Sequence, residues 1–284
     1  MARSGTALTL SDEIRQRFDE FSRSQKDVGQ YIVDHLDETA FHTAEELARR
    51  ANTSSSTVVR FAQALGFEGF PELQSSARDE YRRARENGNG AAATEPANPP
   101  LFPIDQTEFE AVLAADHVNV EETARKIDRD EVAAVVDLIS RSERTVLCGT
   151  DQMAFFASYL RHLLMLLDLR AEVVASPSQE GLARLGRVDE NTVLLGFSAG
   201  RPHPLVVRAV KLARNRRAAT VAIADATLSE VAKLADHRIF YSSNSPAYVR
   251  SHVALLSLVQ ALAYGVYALD ESAYADRIRA FKLK

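Results

Sequence analysis

The chain has 284 residues, of which 46% are hydrophobic and 26% charged, so its length suggests about two domains and its composition is that of an average globular protein. Charged residues interrupt the apolar segments and no long apolar segment follows the first basic residues, so we expect neither a membrane-spanning helix nor a secretory signal. Because Cys148 is the single cysteine, the chain can form neither an internal disulfide nor a CxxC site, which favours the cytoplasm. The net charge of −5 argues weakly against nucleic-acid binding.

Residues 1–86 carry mostly helical patterns, and their central part predicts a helix-turn-helix. Thr43 and Glu46 have the spacing of a capping box, and Gly66 stands where a glycine commonly ends a helix. The apolar spacing predicts a packing helix, two short helices and the turn between them: Lys26–Leu36, Ala44–Ala51, Ser56–Leu65 and Asn52–Ser54. This arrangement is typical of a helix-turn-helix that reads double-stranded DNA.

The start of the second short helix offers a cluster of polar side chains. Hydroxyl groups at a helix N-terminus suit phosphate oxygens, and an arginine one turn further along can reach a base edge or a phosphate. The candidate DNA-binding residues are Arg49, Ser54, Ser55, Ser56, Thr57 and Arg60. The alternative is that the serines only cap the helix and that Arg60 is a solvated charge.

The charge of this region constrains how it could bind DNA. Residues 1–90 contain 12 Lys and Arg against 15 Asp and Glu, so positive charge must be concentrated on one face. Arg49, Arg50 and Arg60 lie near the turn, and a second basic group follows on a later helix: Arg78, Arg82, Arg83 and Arg85. Few phosphate contacts per chain give modest affinity, so we expect a homodimer or homotetramer.

Residues 87–103 contain Asn-Gly pairs and prolines and predict a linker between domains of residues 1–86 and 104–284. Beyond it, short apolar runs alternate with amphipathic segments. The predicted helices are Asp105–Ile127, Asp130–Ser140, Ala154–Leu167, Pro204–Asn215, Leu228–Ala235 and Val249–Leu269, and the predicted strands are Thr145–Gly149, Ala171–Ala175, Thr192–Phe197, Ala219–Ala224 and Arg238–Tyr241. This alternation favours an α/β fold with a parallel five-stranded sheet covered on both faces.

Residues 43–73 resemble the N-terminal DNA-binding domain of RpiR/MurR-type transcriptional regulators. The features that carry the resemblance are Glu46-Leu47-Ala48, Ser54, Ser56-Thr57-Val58, Arg60-Phe61, Leu65-Gly66-Phe67, Gly69-Phe70 and Leu73. The resemblance extends through residues 130–270, which are similar to the SIS (sugar isomerase) domain of that family. It implies an all-helical reading head that binds operator DNA, followed by an α/β/α sandwich that binds a small effector of the phosphosugar class.

The resemblance also implies three ligand-binding loops at the carboxyl ends of the strands, where open α/β sheets bind ligands. The residues that match them or could supply donors are Gly149, Thr150, Gln152, Ser198, Gly200, Arg201, His203, Asp225 and Ser229. The first loop departs from the family, because Asp151 and Met153 replace a glycine and a serine, and a carboxylate repels phosphate.

Each of these residues also has a structural interpretation. Ser229 could cap the helix that begins at Glu230, His203 could form a rigid turn between two prolines, and Arg201 could be a solvated charge. Met153, Phe155 and Phe156 are expected to lie in the core.

The predicted function is therefore a DNA-binding regulator of carbohydrate or related catabolic genes, controlled by a metabolite and needing no cofactor or metal. A second hypothesis is that the α/β domain is a degenerate dimerisation module or senses a ligand without phosphate. A third is a sugar-phosphate isomerase. We expect no catalytic residue, because the sequence offers no clear acid/base pair.

Overall fold

A computed structural model describes residues 9–86 and 108–282. The chain divides into two compact units, Met1–Pro99 and Pro100–Lys284, and each is considered by itself. The predicted linker, residues 87–103, and the first three residues of the predicted helix Asp105–Ile127 lie outside the described residues.

The first unit is entirely helical over its described residues. Its helices are α1 (Leu10–Arg17), α2 (Arg23–Asp34), α3 (Leu36–Thr39), α4 (Ala44–Arg50), α5 (Ser55–Ala64) and α6 (Phe70–Glu86), with a 3-10 turn at Phe18–Glu20. Helices α4 and α5 are the predicted pair of the helix-turn-helix, and α2 packs on α5 as expected.

Local signals set the ends of α4 and α5. The Thr43 hydroxyl accepts the Glu46 amide at 3.2 Å, and the Glu46 carboxylate accepts the Thr43 amide at 2.8 Å, so the predicted capping box is present. Because that carboxylate accepts two hydrogen bonds from Thr43, its pKa lies below its usual value. The turn passes through Asn52 at φ 52°, and Gly66 at φ 95° follows the end of α5.

The core of this unit is built from the apolar faces of all the longer helices. Its fully buried side chains are Ile14, Val28, Ile32, Leu47, Val58, Phe61, Ala62 and Leu73. Glu38 of α3 joins neighbouring helices, because its carboxylate accepts hydrogen bonds from Tyr31 of α2 and from Arg50 of α4. Apolar packing therefore fixes both α4 and α5 in the domain, and the polar contact with Glu38 further fixes α4.

The second unit contains five strands and eight helices among its described residues. The strands are β1 (Arg144–Cys148), β2 (Ala171–Val174), β3 (Thr192–Ser198), β4 (Ala219–Ala224) and β5 (His237–Phe240). The helices are α7 (Glu108–Lys126), α8 (Arg129–Arg141), α9 (Gln152–Leu166), α10 (Gln179–Gly186), α11 (Pro204–Asn215), α12 (Glu230–Leu234), α13 (Val253–Leu269) and α14 (Glu271–Lys282).

All five strands are parallel, in the order β2-β1-β3-β4-β5, which confirms the predicted α/β fold and five-stranded sheet. Alternate residues of each strand face opposite sides. In β1, Leu147 packs with α8, α9 and α13, whereas Val146 and Cys148 pack with the helices of the other face. Burial raises the pKa of the Cys148 thiol to about 12, so it stays protonated.

Several sequence expectations differ from the structure. Helices α1, α10 and α14 were not expected, because short or weakly amphipathic segments carry little periodicity. Phe156 is buried as predicted, but the prediction that Phe155 lies in the core is wrong, since it is 61% exposed. The predicted helix Val249–Leu269 begins only at Val253, because tertiary contacts hold the preceding residues in an irregular segment.

Residues 251–269 contain no Asp, Glu, Lys or Arg, so charge does not interrupt every apolar segment as the sequence expectation assumed. They include the whole of α13, whose apolar side chains pack into the core of the sheet domain. Within the described ranges no single helix is long and apolar enough to cross a membrane, and α13 meets the criteria only jointly with residues 271–280, across a bend of 112°.

Candidate functional site

The exposed face of α5 is the candidate DNA-reading surface. Val58, Phe61 and Ala62 are buried against the domain, which turns the other side of the helix outward. The exposed residues on that side are Ser55, Ser56, Val59, Arg60 and Gln63. Their spacing places them on one stripe that starts at the N-terminus of the helix, where the first amides are not bonded within the helix.

The predicted serines divide into different structural roles. Ser54 is the N-cap, since its hydroxyl accepts the Thr57 amide at 3.3 Å and lies 2.9 Å from the hydroxyls of Ser56 and Thr57. Ser55 occupies the first helical position and is exposed. We therefore expect Ser54 to organise the surface and Ser55 to be better placed for a phosphate.

Arg60 lies along this surface rather than pointing away from it. Its Nη2 donates to the Ser56 hydroxyl at 3.2 Å, and its Nε donates to the Ser56 carbonyl at 3.3 Å. These bonds within one turn hold the guanidinium over the start of α5. A preorganised guanidinium loses less side-chain entropy when it binds a base or a phosphate.

Two of the other basic residues, one near the turn and one on α6, form bonds within the domain. Arg50 forms a salt bridge of 2.9 Å with Glu38, and Arg78 donates to the Ala40 carbonyl at 2.6 Å. Arg49 is exposed at the end of α4. The candidate positive surface is therefore narrower than the sequence indicated and centres on Arg49 and Arg60. The side chain of Arg85 lies outside the described residues.

Sequence reasoning missed Val59 and Gln63 on the same stripe. Val59 is apolar but 36% exposed, and apolar side chains at such positions can contact a thymine methyl group. The helical period alone places Val59 on the exposed side of α5, next to Arg60 and away from the buried Val58, so its exposure could have been predicted from the sequence.

A second candidate site lies at the carboxyl edge of the sheet. Gly149 follows β1, Ser198 ends β3, Asp225 follows β4 and Tyr241 follows β5. Since parallel strands end at one edge, the structure brings together the three predicted loops and adds a fourth segment. The contact that joins two of the loops directly is the Gly200 amide donating to the Asp225 carboxylate at 2.6 Å.

The first loop is a tight turn with an unusual conformation. The Met153 amide donates to the Thr150 carbonyl at 2.9 Å, and Asp151 has φ 51° and ψ −126°. That conformation belongs to the second residue of a type II′ turn, where glycine is favoured. A Cβ at Gly149 would lie 2.7 Å from the Met153 carbonyl oxygen, so this glycine is required for close packing of the turn.

The second loop contains an unpartnered polar atom. Ser198 is 3% exposed, and its hydroxyl oxygen is buried with no hydrogen-bond partner. Gly200 has φ 56°, Arg201 is exposed, and the Nδ1 of His203 accepts the Leu205 amide at 3.1 Å. His203 therefore caps α11, which leaves Nε2 as the ring nitrogen that could contact a ligand.

The polar side chains of the third loop already form hydrogen bonds within the protein. The Asp225 side chain is 0% exposed, and both of its oxygens accept hydrogen bonds from other parts of the site. Ser229 caps α12 by accepting the Ala232 amide at 3.2 Å, which bears out the structural interpretation of that residue. Both residues position the loop, and neither presents a free oxygen in this conformation.

Four residues of the segment after β5 were missed by sequence reasoning. The Tyr241 hydroxyl donates to the Ser198 carbonyl at 3.2 Å, the Ser243 hydroxyl donates to Asp225 at 2.9 Å, and Arg250 Nη1 lies 3.3 Å from Asp225. His252 Nε2 lies 2.9 Å from the Gln152 side-chain oxygen. No family pattern in the sequence marked these residues, because they reach the site only through the fold.

Burial changes the ionisation of two of them. Burial raises the pKa of the Tyr241 hydroxyl, and the Asp225 charge adds to the shift, so this group stays protonated. Burial lowers the pKa of His252, so its ring is neutral near pH 7. The neutral ring that donates through Nε2 to Gln152 leaves Nδ1 as an acceptor, and Nδ1 is buried without a partner.

Two family models match the two units. The helix-turn-helix domain of the rpiR family matches residues 8–84, and the SIS domain matches residues 138–265. The chain carries a helix-turn-helix domain of the rpiR family and a SIS domain. The first match covers the helix-turn-helix and its packing helices, and the second covers the whole sheet and most of α13. The implied architecture of reading head and SIS domain is confirmed.

Similar proteins match one or both units of this chain. It is 23% identical over 240 residues to an uncharacterized HTH-type transcriptional regulator of Haemophilus influenzae, covering 84% of this chain and 80% of the relative. The sugar isomerase domain of an RpiR transcription factor from Sphaerobacter thermophilus has a TM-score of 0.59 at 22% identity, over 61% of this chain and 97% of that one. The Vibrio vulnificus NanR protein complexed with ManNAc-6P has a TM-score of 0.58 at 18% identity, over 96% and 97%.

The strained turn after β1 gives a first prediction. Replacing Asp151 with glycine should increase the free energy of unfolding by about 1 kcal/mol, because glycine adopts the type II′ conformation without the strain that a Cβ imposes. Urea denaturation measures the change. Asp151→Asn is the matched control, since it removes the charge and keeps the Cβ. Equal stability of the two variants would contradict the strain argument.

Proposed function

We propose that this chain is a DNA-binding regulator of carbohydrate or related catabolic genes, and that its SIS domain binds a phosphosugar effector. The observation that carries the effector proposal is the buried, unpartnered Ser198 hydroxyl where the three family loops meet. A buried hydroxyl without a partner carries a desolvation cost that a ligand can remove. The candidate contacts are those of the sequence analysis: Gly149, Thr150, Gln152, Ser198, Gly200, Arg201, His203, Asp225 and Ser229.

The chemical class of the effector is supported by a relative that has the same two-part architecture. The NanR structure contains ManNAc-6P, a phosphorylated sugar, and its likeness extends over 96% of this chain. At 18% identity this likeness concerns the fold, so we carry over the class of ligand and not the compound.

We propose that the active form is a homodimer or homotetramer that binds double-stranded operator DNA. Two recognition helices in one oligomer can enter successive major grooves, which compensates for the few positive charges of each reading head. The effector would act by shifting the population of conformers that present both helices correctly. Effector and DNA affinities are then coupled, and the coupling is reciprocal.

We further propose that the chain is not an enzyme and that it acts in the cytoplasm, where an operator on the chromosome is accessible. An isomerase needs a group that can exchange a proton with the substrate carbon. The candidate groups at this edge are Asp225, whose oxygens are occupied, and His252, whose Nε2 is engaged by Gln152 and whose unpartnered Nδ1 is buried. Isomerase activity on any compound that binds would contradict this part.

A thermal-shift comparison tests the effector proposal. ManNAc-6P, arabinose 5-phosphate and glucose 6-phosphate are each compared with the same sugar without phosphate. At about 100 times its dissociation constant an effector should stabilise the protein by roughly 2.7 kcal/mol, and only phosphorylated members should do so. A shift with the plain sugar would indicate a ligand without phosphate. The absence of any shift would favour the dimerisation module.

The compound that binds should also change DNA affinity. Fluorescence anisotropy with labelled DNA from the promoter of the chain's own or a neighbouring gene should show a change of about 5- to 150-fold. The plain sugar is the control. An effector that binds without changing DNA affinity would contradict the regulatory role.

A further inference from the structure

The segment between β5 and α13 closes the carboxyl edge of the sheet with one ion pair. Arg250 Nη1 lies 3.3 Å from Asp225 Oδ2 and 3.3 Å from the Ser243 hydroxyl. The Asp225 side chain is fully buried, whereas the Arg250 side chain is 52% exposed. A buried carboxylate is therefore bound to a guanidinium that reaches it from the solvent side.

The remaining contacts of Asp225 satisfy the buried carboxylate. It accepts the Gly200 amide at 2.6 Å and the Ser243 hydroxyl at 2.9 Å in addition to Arg250. Three donors offset the cost of burying a charge. Arg250 is the donor with a long, partly exposed side chain, so it can leave while the Gly200 amide and the Ser243 hydroxyl stay bonded to Asp225, at the loss of its own bond to Ser243.

Arg250 is also packed against the loop that holds the candidate ligand-binding residues. A Cβ at Gly200 would lie 3.6 Å from Arg250 Nε and 3.8 Å from Nη2, so the guanidinium lies directly over this glycine. These are ordinary van der Waals distances, and it is the φ of 56° that favours glycine at this position.

Two polar atoms beneath this closed edge have no partner. The Ser198 hydroxyl oxygen and His252 Nδ1 are both buried without a hydrogen bond. Neither atom can reach solvent in this conformation, so a ligand that uses them must first displace part of the covering segment. Arg250 is two residues from His252 and belongs to that segment.

We propose that Arg250 is an anion-binding residue of the effector site, and that a phosphate group replaces the Asp225 carboxylate as the partner of its guanidinium. This inference rests on the proposed function and deepens it, because it assigns recognition of the phosphate to the β5–α13 segment. A guanidinium binds a phosphate with two parallel hydrogen bonds, as it binds a carboxylate. The exchange leaves Asp225 with two donors, the Gly200 amide and the Ser243 hydroxyl, and frees the edge of the sheet for the sugar.

The first loop gives an independent reason for this assignment. Asp151 is exposed beside the turn that follows β1, and its carboxylate would repel a phosphate there. A cation on another segment is then needed to bind the anion, and Arg250 is already placed against a carboxylate.

Inorganic phosphate is the probe, titrated against full-length protein with sodium chloride at matched ionic strength, and the melting temperature is measured. Phosphate should raise the melting temperature of the wild type, and Arg250→Gln should remove at least nine-tenths of that rise. Arg208→Gln is the control. It makes the same change in net charge, and Arg208 is an exposed arginine of α11. A rise in Arg250→Gln equal to that of the wild type would overturn the proposal, as would no rise in the wild type.

Asp225→Asn gives a second test that keeps Arg250. Removing the competing carboxylate charge should lower the phosphate concentration for half of the maximal shift by about tenfold, roughly 1.4 kcal/mol. An unchanged or higher concentration would contradict the exchange. If the wild type binds a phosphosugar and Arg250→Gln binds it equally, only this inference fails. If no phosphosugar binds the wild type, the proposed function fails as well.

Discussion

Arg60→Ala is expected to weaken operator binding about 30-fold or more. Each lost contact to a base edge or phosphate costs about 1–3 kcal/mol, and a dimer loses two of them. The guanidinium of Arg60 lies over the start of α5 on two bonds to Ser56, in the centre of the exposed stripe. The measurement is fluorescence anisotropy with DNA from the promoter of the chain's own or a neighbouring gene.

The control for this variant is Arg15→Ala. Arg15 is an exposed arginine of α1 paired with Asp12, so its replacement removes one positive charge without changing the surface of α5. A salt titration separates two possible roles of Arg60. If Arg60 contacts a phosphate, its loss should reduce the salt dependence of binding by about one ion per subunit, whereas if it contacts a base, its loss should relax the sequence preference. Unchanged binding by Arg60→Ala would rule out α5 as the reading helix.

Gly149→Ala is expected to lower the free energy of unfolding by about 2–3 kcal/mol. The new Cβ would lie 2.7 Å from the Met153 carbonyl oxygen and 2.9 Å from its carbonyl carbon. These are backbone atoms of the first turn of α9, so no side chain can move aside to relieve the overlap. For a domain of this size the melting temperature should fall by roughly 4–12 °C.

Gly186→Ala is the matched control for this prediction. Gly186 ends α10, and nothing lies within 4 Å of the position that its Cβ would take. Alanine there should be neutral or slightly stabilising, since glycine is the poorer helix former. If Gly149→Ala unfolds at the same temperature as the wild type, the close approach of β1 and α9 is contradicted.

The helix-turn-helix could be predicted because its signals are local. The capping box of Thr43 and Glu46 acts over four residues, and Gly66 ends α5 by its own backbone conformation. The strands could be predicted for a related reason, because a strand that is buried on both faces is a short, continuous apolar run such as that of β3. These features need no knowledge of distant residues.

The expectations that were wrong concern positions where a distant residue competes with the local pattern. The predicted closing helix included Val249–His252, yet Arg250 is held by Asp225 and Ser251 by Asp116 of α7. Phe155 has the pattern of a core residue but lies on the exposed side of α9. Asp151 takes a conformation suited to glycine because the turn between β1 and α9 imposes it.

The sequence by itself determined the two-part architecture, the parallel sheet, the recognition helix and the three loops that carry the family pattern, since hydrophobic period and capping act within a few residues. Only the tertiary structure decided which side chains of the helix and loops remain free to bind DNA or a ligand. It bound Arg50 to Glu38, engaged both oxygens of Asp225, and brought Tyr241, Arg250 and His252 to the candidate effector site. The physical reason is that hydrogen bonds and burial between segments far apart in the chain depend on the completed fold, and these contacts decide what a polar side chain can still bind.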